Sequence, residues 1–387
     1  MTQRAILPGA TLGVMGGGQL GRMFVHAAQR MGYFTAVLDP DPASPAGLVS
    51  HHHVQAGYLD AAGLARLAEC SAAITTEFEN VPAPALATLA QSRPVAPGAQ
   101  AVAVAQDRAL EKAHFMRCGV ACAPYALIET AEQLAAVPEG LLPGILKTTR
   151  LGYDGKGQIR VKTAAALAAA WAELRNVPCV LEKMLPLAAE VSVIVARGQD
   201  GATVNFPVQR NLHRDGILAV TEVFEGNVPA ALVERAVVAA KSIANGIGYV
   251  GVLCVEFFVL EDGALVVNEI APRPHNSGHY TMDACDASQF ELQVRTLAGL
   301  PLVQPRQHSP AIMLNLLGDL WFAQGEGAVE PPWAEVLALP GTHLHLYGKL
   351  DARRGRKMGH LNITGASTQA VKATALQAAQ MLGIAAF

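Results

Sequence analysis

The sequence predicts an α/β region that passes into a mixed α+β region and ends in short β segments. Three observations carry that prediction. Residues 10–105 alternate short apolar runs with stretches of helical period, as βαβ units with a parallel sheet require. Residues 107–300 mix strands and helices and contain a hairpin pattern around Asp262-Gly263. After the Pro-rich stretch PLVQPRQHSP at 301–310, runs such as AIMLNLLG and THLHLYG read as β structure.

In chain order, ATLGVM is the first strand, followed by a helix over 19–31, the strand FTAVLD, a helix ending near Cys70 and the run AAIT. RPVAPGAQ punctuates the chain. A helix over 107–118 opens the second region, then strand ILK, a Gly-rich loop, strand QIRV and an Ala-rich helix over 163–174. Strands CVLEK and EVSVIVAR follow, then a helix over 229–246, the hairpin GVLCVEFFVLEDGALVVNE and a helix over 288–298. The chain has 387 residues, 51% hydrophobic and 16% charged, which excludes a disordered or fibrous protein. No run reaches the roughly 18 apolar residues that span a bilayer, and the N-terminus lacks the pattern of a signal peptide, so a cytoplasmic location is expected. A balance of 29 basic and 32 acidic residues gives no footprint for bulk nucleic acid or membrane. The six Cys show no C-x-x-C spacing, so free thiols are expected, with Cys118 and Cys122 packing on a helix.

Gly16, Gly17, Gly18, Gln19, Leu20 and Gly21 fit G-x-G-x-x-G, and Asp39 ends the next strand, as in a dinucleotide fingerprint. The physical content is narrower. Glycines allow close approach and a helix N-terminus offers amides, which a phosphorylated substrate satisfies as well as NAD does. Tight strand-to-helix packing without a ligand is the plain alternative. Lys147 ends a strand before Gly152, Tyr153, Asp154, Gly155, Lys156, Gly157 and Gln158, a loop able to fold over a triphosphate although no Walker A pattern is present. Three glycines and two lysines exceed what a hairpin turn needs. Glu182, Lys183, Met184 and Leu185 connect two apolar strands, where backbone groups could meet an adenine edge, and Glu190 could meet ribose hydroxyls.

With Asp262-Gly263 as a two-residue turn, each pair in the hairpin has the same index sum and Glu256 opposes Glu269 on one face. Opposed like charges among apolar neighbours are unfavourable, and a bridging cation such as Mg²⁺ would relieve them. Strict alternation points Asn268 the other way unless the strand is bulged. Arg273, His275 and Asn276 follow in a Pro-fixed polar loop suited to an anion, with His279 either functional or structural. Lys349, Arg353, Arg354, Arg356 and Lys357 form a basic cluster, read as a phosphate clamp in preference to a nucleic-acid patch. His51, His52 and His53 are expected in a solvated loop, since consecutive residues rarely converge on one ion.

Together these segments resemble the ATP-grasp superfamily and, within it, the 5-(carboxyamino)imidazole ribonucleotide synthases of purine biosynthesis. GGGQLGRM, TTEFENVP, QDRALEK, GYDGKGQ, NLHRDGI, VEFF, NEIAPRPHNSGH, SQFE and GRKMGHLN occur in the family's order along the whole chain. The resemblance implies a doubly wound N-terminal domain (1–105), an ATP-grasp domain (106–300) and a linker with a small β-rich C-terminal domain (301–387), in a homodimer. It implies that Arg108, Lys147, Gly152 to Gln158, Glu182 to Leu185, Glu190, His213 and Asn268 contact ATP, and that Glu256 and Glu269 hold Mg²⁺. It further implies that Tyr153, Asp154, Arg273, His275, Asn276, Lys349 and Arg356 meet bicarbonate and aminoimidazole ribonucleotide, with Gln19 and Leu20 at the ribotide phosphate. The implied reaction is ATP-dependent carboxylation of the ribotide amine through carboxyphosphate, with no nucleic acid or membrane partner. Thr149 departs from the family, where many members carry a second basic residue. A ligase using formate on another ribotide and a nicotinamide dehydrogenase are the competing readings, and dehydrogenases have no need of the paired glutamates.

Overall fold

The N-terminal strands are buried on both faces, which is why they read as continuous apolar runs without alternation. β1 (Thr11–Met15), β2 (Phe34–Leu38), β3 (His52–Val54) and β4 (Ala73–Thr76) form a parallel sheet in the order β3-β2-β1-β4. Chain order reverses at β1, so the crevice beyond its C-terminal end is the natural ligand position. Helices α1 (Gln19–Arg30), α2 (Ala61–Cys70), α3 (Ala83–Leu89) and α4 (Ala99–Ala105) cover the sheet. This computed structural model describes residues 5–150, 152, 157–323, 325 and 327–387; Tyr153, Asp154, Gly155 and Lys156 lie outside the described residues.

Asp107 caps α5 (Arg108–Arg117), its Oδ1 accepting from the Ala109 amide at 3.0 Å. After it come β5 (Tyr125–Ile128), α6 (Ala131–Ala135), β6 (Gly144–Thr148), β7 (Gln158–Val161), α7 (Ala164–Glu173) and β8 (Cys179–Lys183). These strands make an antiparallel sheet in the order β5-β8-β6-β7. The next elements are β9 (Leu187–Arg197), β10 (Thr203–Asn205), β11 (Gln209–Arg214), β12 (Ile217–Val223), α8 (Ala230–Gly246), β13 (Gly251–Leu260), β14 (Leu265–Ala271), α9 (Thr281–Ala284) and α10 (Gln289–Ala298). The chain closes with β15 (Ala311–Leu317), α11 (Trp333–Leu337), β16 (Thr342–Leu346), β17 (Lys357–Thr364) and α12 (Thr368–Leu382).

One antiparallel sheet runs β14-β13-β9-β11-β12-β15-β17-β16, so the C-terminal strands continue the sheet that carries the hairpin. α12, capped by Ser367 and not anticipated from the β-like runs, covers these strands with Val371, Ala375, Ala378 and Leu382. α10 packs back on the N-terminal domain, with Val294 and Leu297 in one apolar cluster with Phe24 and Val25.

Three local expectations are corrected. The hairpin loop spans three residues, 261–263, because the Leu260 amide donates to the Ala264 carbonyl and Gly263 sits at φ +79°. Phe257 therefore pairs with Val267, and one extra residue in β14, Asn268, restores the pairing of Glu256 with Glu269. The longer loop and the bulge cancel, so the glutamates oppose each other as expected, although the route is different. The histidine run is no solvated loop: His52 and His53 lie in β3, and His53 Nε2 is 3.1 Å from the Asp39 carbonyl. His51 Nδ1 receives the Thr35 amide at 3.2 Å, and His51 and His52 remain exposed while His53 is half-buried. Cys122 lies beyond α5, bridged to Val267, so only Cys118 packs at a helix end. All six cysteines are free thiols, as expected.

Candidate active site

The glycine loop at the end of β1 is held by carboxylates of its own chain. Asp39 Oδ2 accepts from the Gly17 amide at 2.7 Å and from the Tyr58 hydroxyl at 2.6 Å, while its Oδ1 takes the Asp41 amide at 2.9 Å. Glu77, just past β4, accepts from the Gly18 amide at 2.9 Å and the Gly21 amide at 3.0 Å. A Cβ on Gly18 would meet Glu77 Oε1 at 2.5 Å, so glycine is needed here for the carboxylate's approach. The dinucleotide fingerprint is thus spent internally, with both Asp39 oxygens accepting bonds from the chain itself. Among the described residues, the amides of Gln19 and Leu20 at the start of α1 keep no partner, which leaves them facing the crevice as anion donors.

In the second region, Glu182 receives two lysines: Lys112 Nζ at 2.9 Å and Lys147 Nζ at 2.7 Å. Against the upward pull of burial, Lys147 and Lys112 hold the carboxyl down at about 2. Glu182 is therefore an organiser of Lys147, and its carboxylate is not open to a nucleotide. The Lys183 and Met184 amides also go inward, to the Pro124 and Pro143 carbonyls, which leaves Leu185 with the only amide of this segment without a partner among the described residues. Glu190 and His213 face each other on β9 and β11, Nδ1 to Oε2 at 2.7 Å, a charge contact whose angle is too poor for an aligned hydrogen bond.

Arg108 ties the loop to the hairpin. It donates to the Thr148 carbonyl at 3.2 Å and to the Gly152 carbonyl at 3.5 Å, and lies 3.9 Å from Glu269 Oε2. Gly157 accepts the Thr148 amide at φ +70°, closing the far side of the loop, and Gln158 pairs with Lys147. Of the opposed carboxylates, Glu256 meets His275 Nε2 at 3.0 Å, and against burial that imidazole and His213 hold it down at about 2. Desolvation in the cleft, and then the Glu256 charge, raise Glu269, although 47% of its side chain stays open. Glu256 has an imidazole beside it and Glu269 a guanidinium, so the electrostatic conflict expected from sequence is partly relieved by the chain itself. Hard oxygens from two opposed glutamates, one of them open to the cleft beside the bulged Asn268, nevertheless fit Mg²⁺.

Arg273 is locked in an ion pair with Glu79 and donates to the Pro274 carbonyl at 3.1 Å. Asn276 is buried with Nδ2 unpartnered. His279 is structural: it is fully buried, its Nδ1 is 3.0 Å from Gln289 Nε2, and its ring stacks on His360 at 4.5 Å. Lys349 donates to the Lys357 carbonyl at 2.6 Å and lies 5.6 Å over the Tyr347 ring. Tyr347 packs with Leu20, Met23 and Phe290, which carries the basic segment to the start of α1. Arg356 donates to the Asp351 carbonyl at 2.8 Å, Arg353 lies 3.8 Å from Asp351, and Arg354 lies 4.0 Å from Asp319.

Sequence reasoning missed four acting residues: Glu77, Glu79, Glu111 and Lys112. Glu111 accepts the Ile270 amide at 2.7 Å, and burial with the nearby Glu269 charge pushes it up to about 8. The available signal was position: Glu77 and Glu79 directly follow a buried strand at the sheet's switch point, and Glu111 and Lys112 are charged residues on the inner face of α5.

Residues 9–106 match the ribonucleotide synthetase preATP-grasp domain, 113–290 the ATP-grasp domain, and 311–374 the phosphoribosylaminoimidazole carboxylase C-terminal domain. The chain is 44% identical over 368 residues to N5-carboxyaminoimidazole ribonucleotide synthase of Brucella melitensis, covering 93% of this chain and 98% of that one. It is similar to the crystal structure of N5-carboxyaminoimidazole synthetase from Staphylococcus aureus complexed with ADP, with TM-score 0.89, 36% identity and coverage of 98% and 99%. It is also similar to the Aspergillus clavatus synthase in complex with ADP and 5-aminoimidazole ribonucleotide, with TM-score 0.86, 31% identity and coverage of 97% and 98%.

Proposed function

The chain belongs to the N5-carboxyaminoimidazole ribonucleotide synthase family of ATP-grasp ligases, and from that premise we propose how its residues divide the work. The reaction is the ATP-dependent carboxylation of 5-aminoimidazole ribonucleotide in purine biosynthesis. Our reading makes bicarbonate the carboxyl source. Bicarbonate is a poor electrophile, so its oxygen first takes the γ-phosphoryl group of ATP, giving ADP and carboxyphosphate. The ribotide's exocyclic amine then attacks the carboxyl carbon, phosphate leaves, and the amine's proton is lost.

The observation that carries this division is the reach of Arg108, which spans the carbonyls flanking the Gly-rich loop and the carboxylate of Glu269. One guanidinium thereby sets the phosphate loop against the acidic pair. Lys147, aligned by Glu182, and the loop from Gly152 to Gln158 take the phosphates; the Leu185 amide takes the adenine edge, and Glu190 with His213 the ribose. Glu256 and Glu269, with Asn268 beside them, would hold Mg²⁺, which when bound offsets phosphate charge. Arg273, His275 and Asn276 hold bicarbonate, Arg273 being kept charged and fixed by Glu79. Lys349, Arg356 and the Gln19 and Leu20 amides take the ribotide, and a closed loop keeps water from the mixed anhydride. The reading carries with it domain limits at 105 and 300, a homodimer and a cytoplasmic location as expectations of the resemblance. Among the described residues no helix is long and apolar enough to cross a membrane.

Phosphate release from MgATP and bicarbonate, with and without the aminoimidazole ribotide, tests it. Release that depends on both is expected; release indifferent to bicarbonate would refute the carboxyphosphate route.

A further inference from the structure

We propose that Cys254, Glu256 and His275 form a three-ligand site for a thiophilic divalent cation of the Zn²⁺ type, distinct in its donors from the oxygen pair Glu256 and Glu269. One thiol sulfur, one carboxylate oxygen and one imidazole nitrogen lie within 4.8 Å of one another. Cys254 and Glu256 are two residues apart on β13 and so share a face of the sheet. His275 completes the set from the loop after β14, its Nε2 3.0 Å from Glu256. Its other ring nitrogen is already held: Nδ1 accepts the Ser277 amide at 3.3 Å and lies 2.9 Å from Ser277 Oγ, which receives the Ser192 hydroxyl at 2.8 Å, so at rest the ring proton sits on Nε2 toward Glu256. These contacts fix the orientation of the ring.

The approach is one-sided. Cys254 is fully buried, while the side chains of Glu256 and His275 are 12% and 14% exposed, so a cation enters from the cleft and meets the thiol at its floor. Tetrahedral zinc holds sulfur and nitrogen donors roughly 3.5 Å apart, so the set must contract by about an ångström. On binding, the thiol proton leaves to water. The imidazole proton moves from Nε2 to Nδ1, where Ser277 Oγ replaces the Ser277 amide as its partner, and Nε2 coordinates. The carboxylate binds as it stands, and a fourth position stays open. The nearby cation Arg273 is paired with Glu79, which limits its repulsion. A thiolate with an imidazole selects Zn²⁺, Co²⁺ or Cd²⁺ over Mg²⁺. No cysteine spacing announces the site, because tertiary proximity alone assembles it.

Occupancy withdraws Glu256 from the oxygen pair, so such a cation inhibits turnover. This consequence rests on the role proposed above for Glu256; the binding itself does not. The test titrates the full chain, free of nucleotide, with Co²⁺ as a spectroscopic probe. One equivalent should give a thiolate-to-cobalt absorption in the near ultraviolet. Cys254→Ala should remove that band, weaken Co²⁺ and Zn²⁺ binding at least tenfold and keep Mg²⁺-dependent turnover. Cys254→Ser, nearly isosteric, gives the same reading if the alanine variant does not fold. Cobalt bound without the band, or a band that survives in Cys254→Ala, overturns the site. In turnover, Zn²⁺ should inhibit the parent at concentrations at least tenfold below those that inhibit Cys254→Ala; equal inhibition with the cobalt band intact overturns the role of Glu256 alone.

Discussion

Lys112→Met tests the buried charge triad on which the orientation of Lys147 depends. The Lys112 side chain is 1% exposed and meets one anion, Glu182 Oε1 at 2.9 Å, while Lys147 takes the other oxygen at 2.7 Å. Methionine keeps much of the stem's volume and removes the charge. Deleting one partner of a buried pair costs about 3–5 kcal/mol, and the remaining Lys147 contact places this case near about 3. At about 2.1 cal/mol/K per residue, a 387-residue chain unfolding as a unit then loses roughly 4 °C in Tm. The folded Glu182 carboxyl sits at about 2, below its unfolded value. Its contribution is therefore fully present above the ordinary carboxylate range and is lost as pH falls toward about 2. Calorimetric scans from pH 7 to pH 3 should show the variant's deficit shrinking on the acid side. The KM for ATP should also rise, because Lys147 alone then answers the Glu182 charge. A cycle with Glu182→Gln should give a coupling of about 2 kcal/mol or more. A coupling within about 0.5 kcal/mol, or a deficit that does not change with pH, would refute the triad.

Glu269→Gln should abolish turnover with Tm level or slightly higher, since the side chain is half open and its loss relieves Glu256; wild-type turnover at limiting Mg²⁺ would mark the pair as ordinary surface residues. Lys349→Ala and Arg356→Ala should each raise the KM for the ribotide by one to two decades with little change for ATP, from about 1.5–3 kcal/mol per charge-assisted bond. Arg353→Ala and Arg354→Ala are the controls, and equal, steeply salt-dependent effects accompanied by RNA binding would instead indicate a polyanion patch. Calorimetric titration should find MgATP binding and no NAD binding, because Asp39 and Glu77 occupy the glycine-loop amides; micromolar NAD affinity without ATP affinity would overturn the ligase reading.

The elements were legible wherever local period and punctuation decide them. QIRV, CVLEK and the helices at 19, 108, 164 and 230 fall within a residue or two of the sequence expectation, because amphipathic or buried runs bounded by Gly, Pro and capping residues leave the backbone little choice. α12 and the short β3 were missed, the first hidden by Ala bias and the second by a histidine run with no strand signature. The opposition of Glu256 and Glu269 was anticipated, and a bulge at Asn268 stood only as the alternative to strict alternation; what the sequence did not show is the three-residue loop that requires it.

What the sequence determined by itself is the set of segments, the order of motifs and the chemical types placed at strand ends, because these depend on neighbours along the chain. Which partner each charged group takes was decided only by tertiary structure. Asp39 turned inward to the glycine loop, Glu182 was shared by two lysines, and Tyr347 brought a distant basic segment onto α1. Ion pairing and desolvation depend on distances in space between residues 22 to more than 300 positions apart, and a one-dimensional pattern carries no term for those distances.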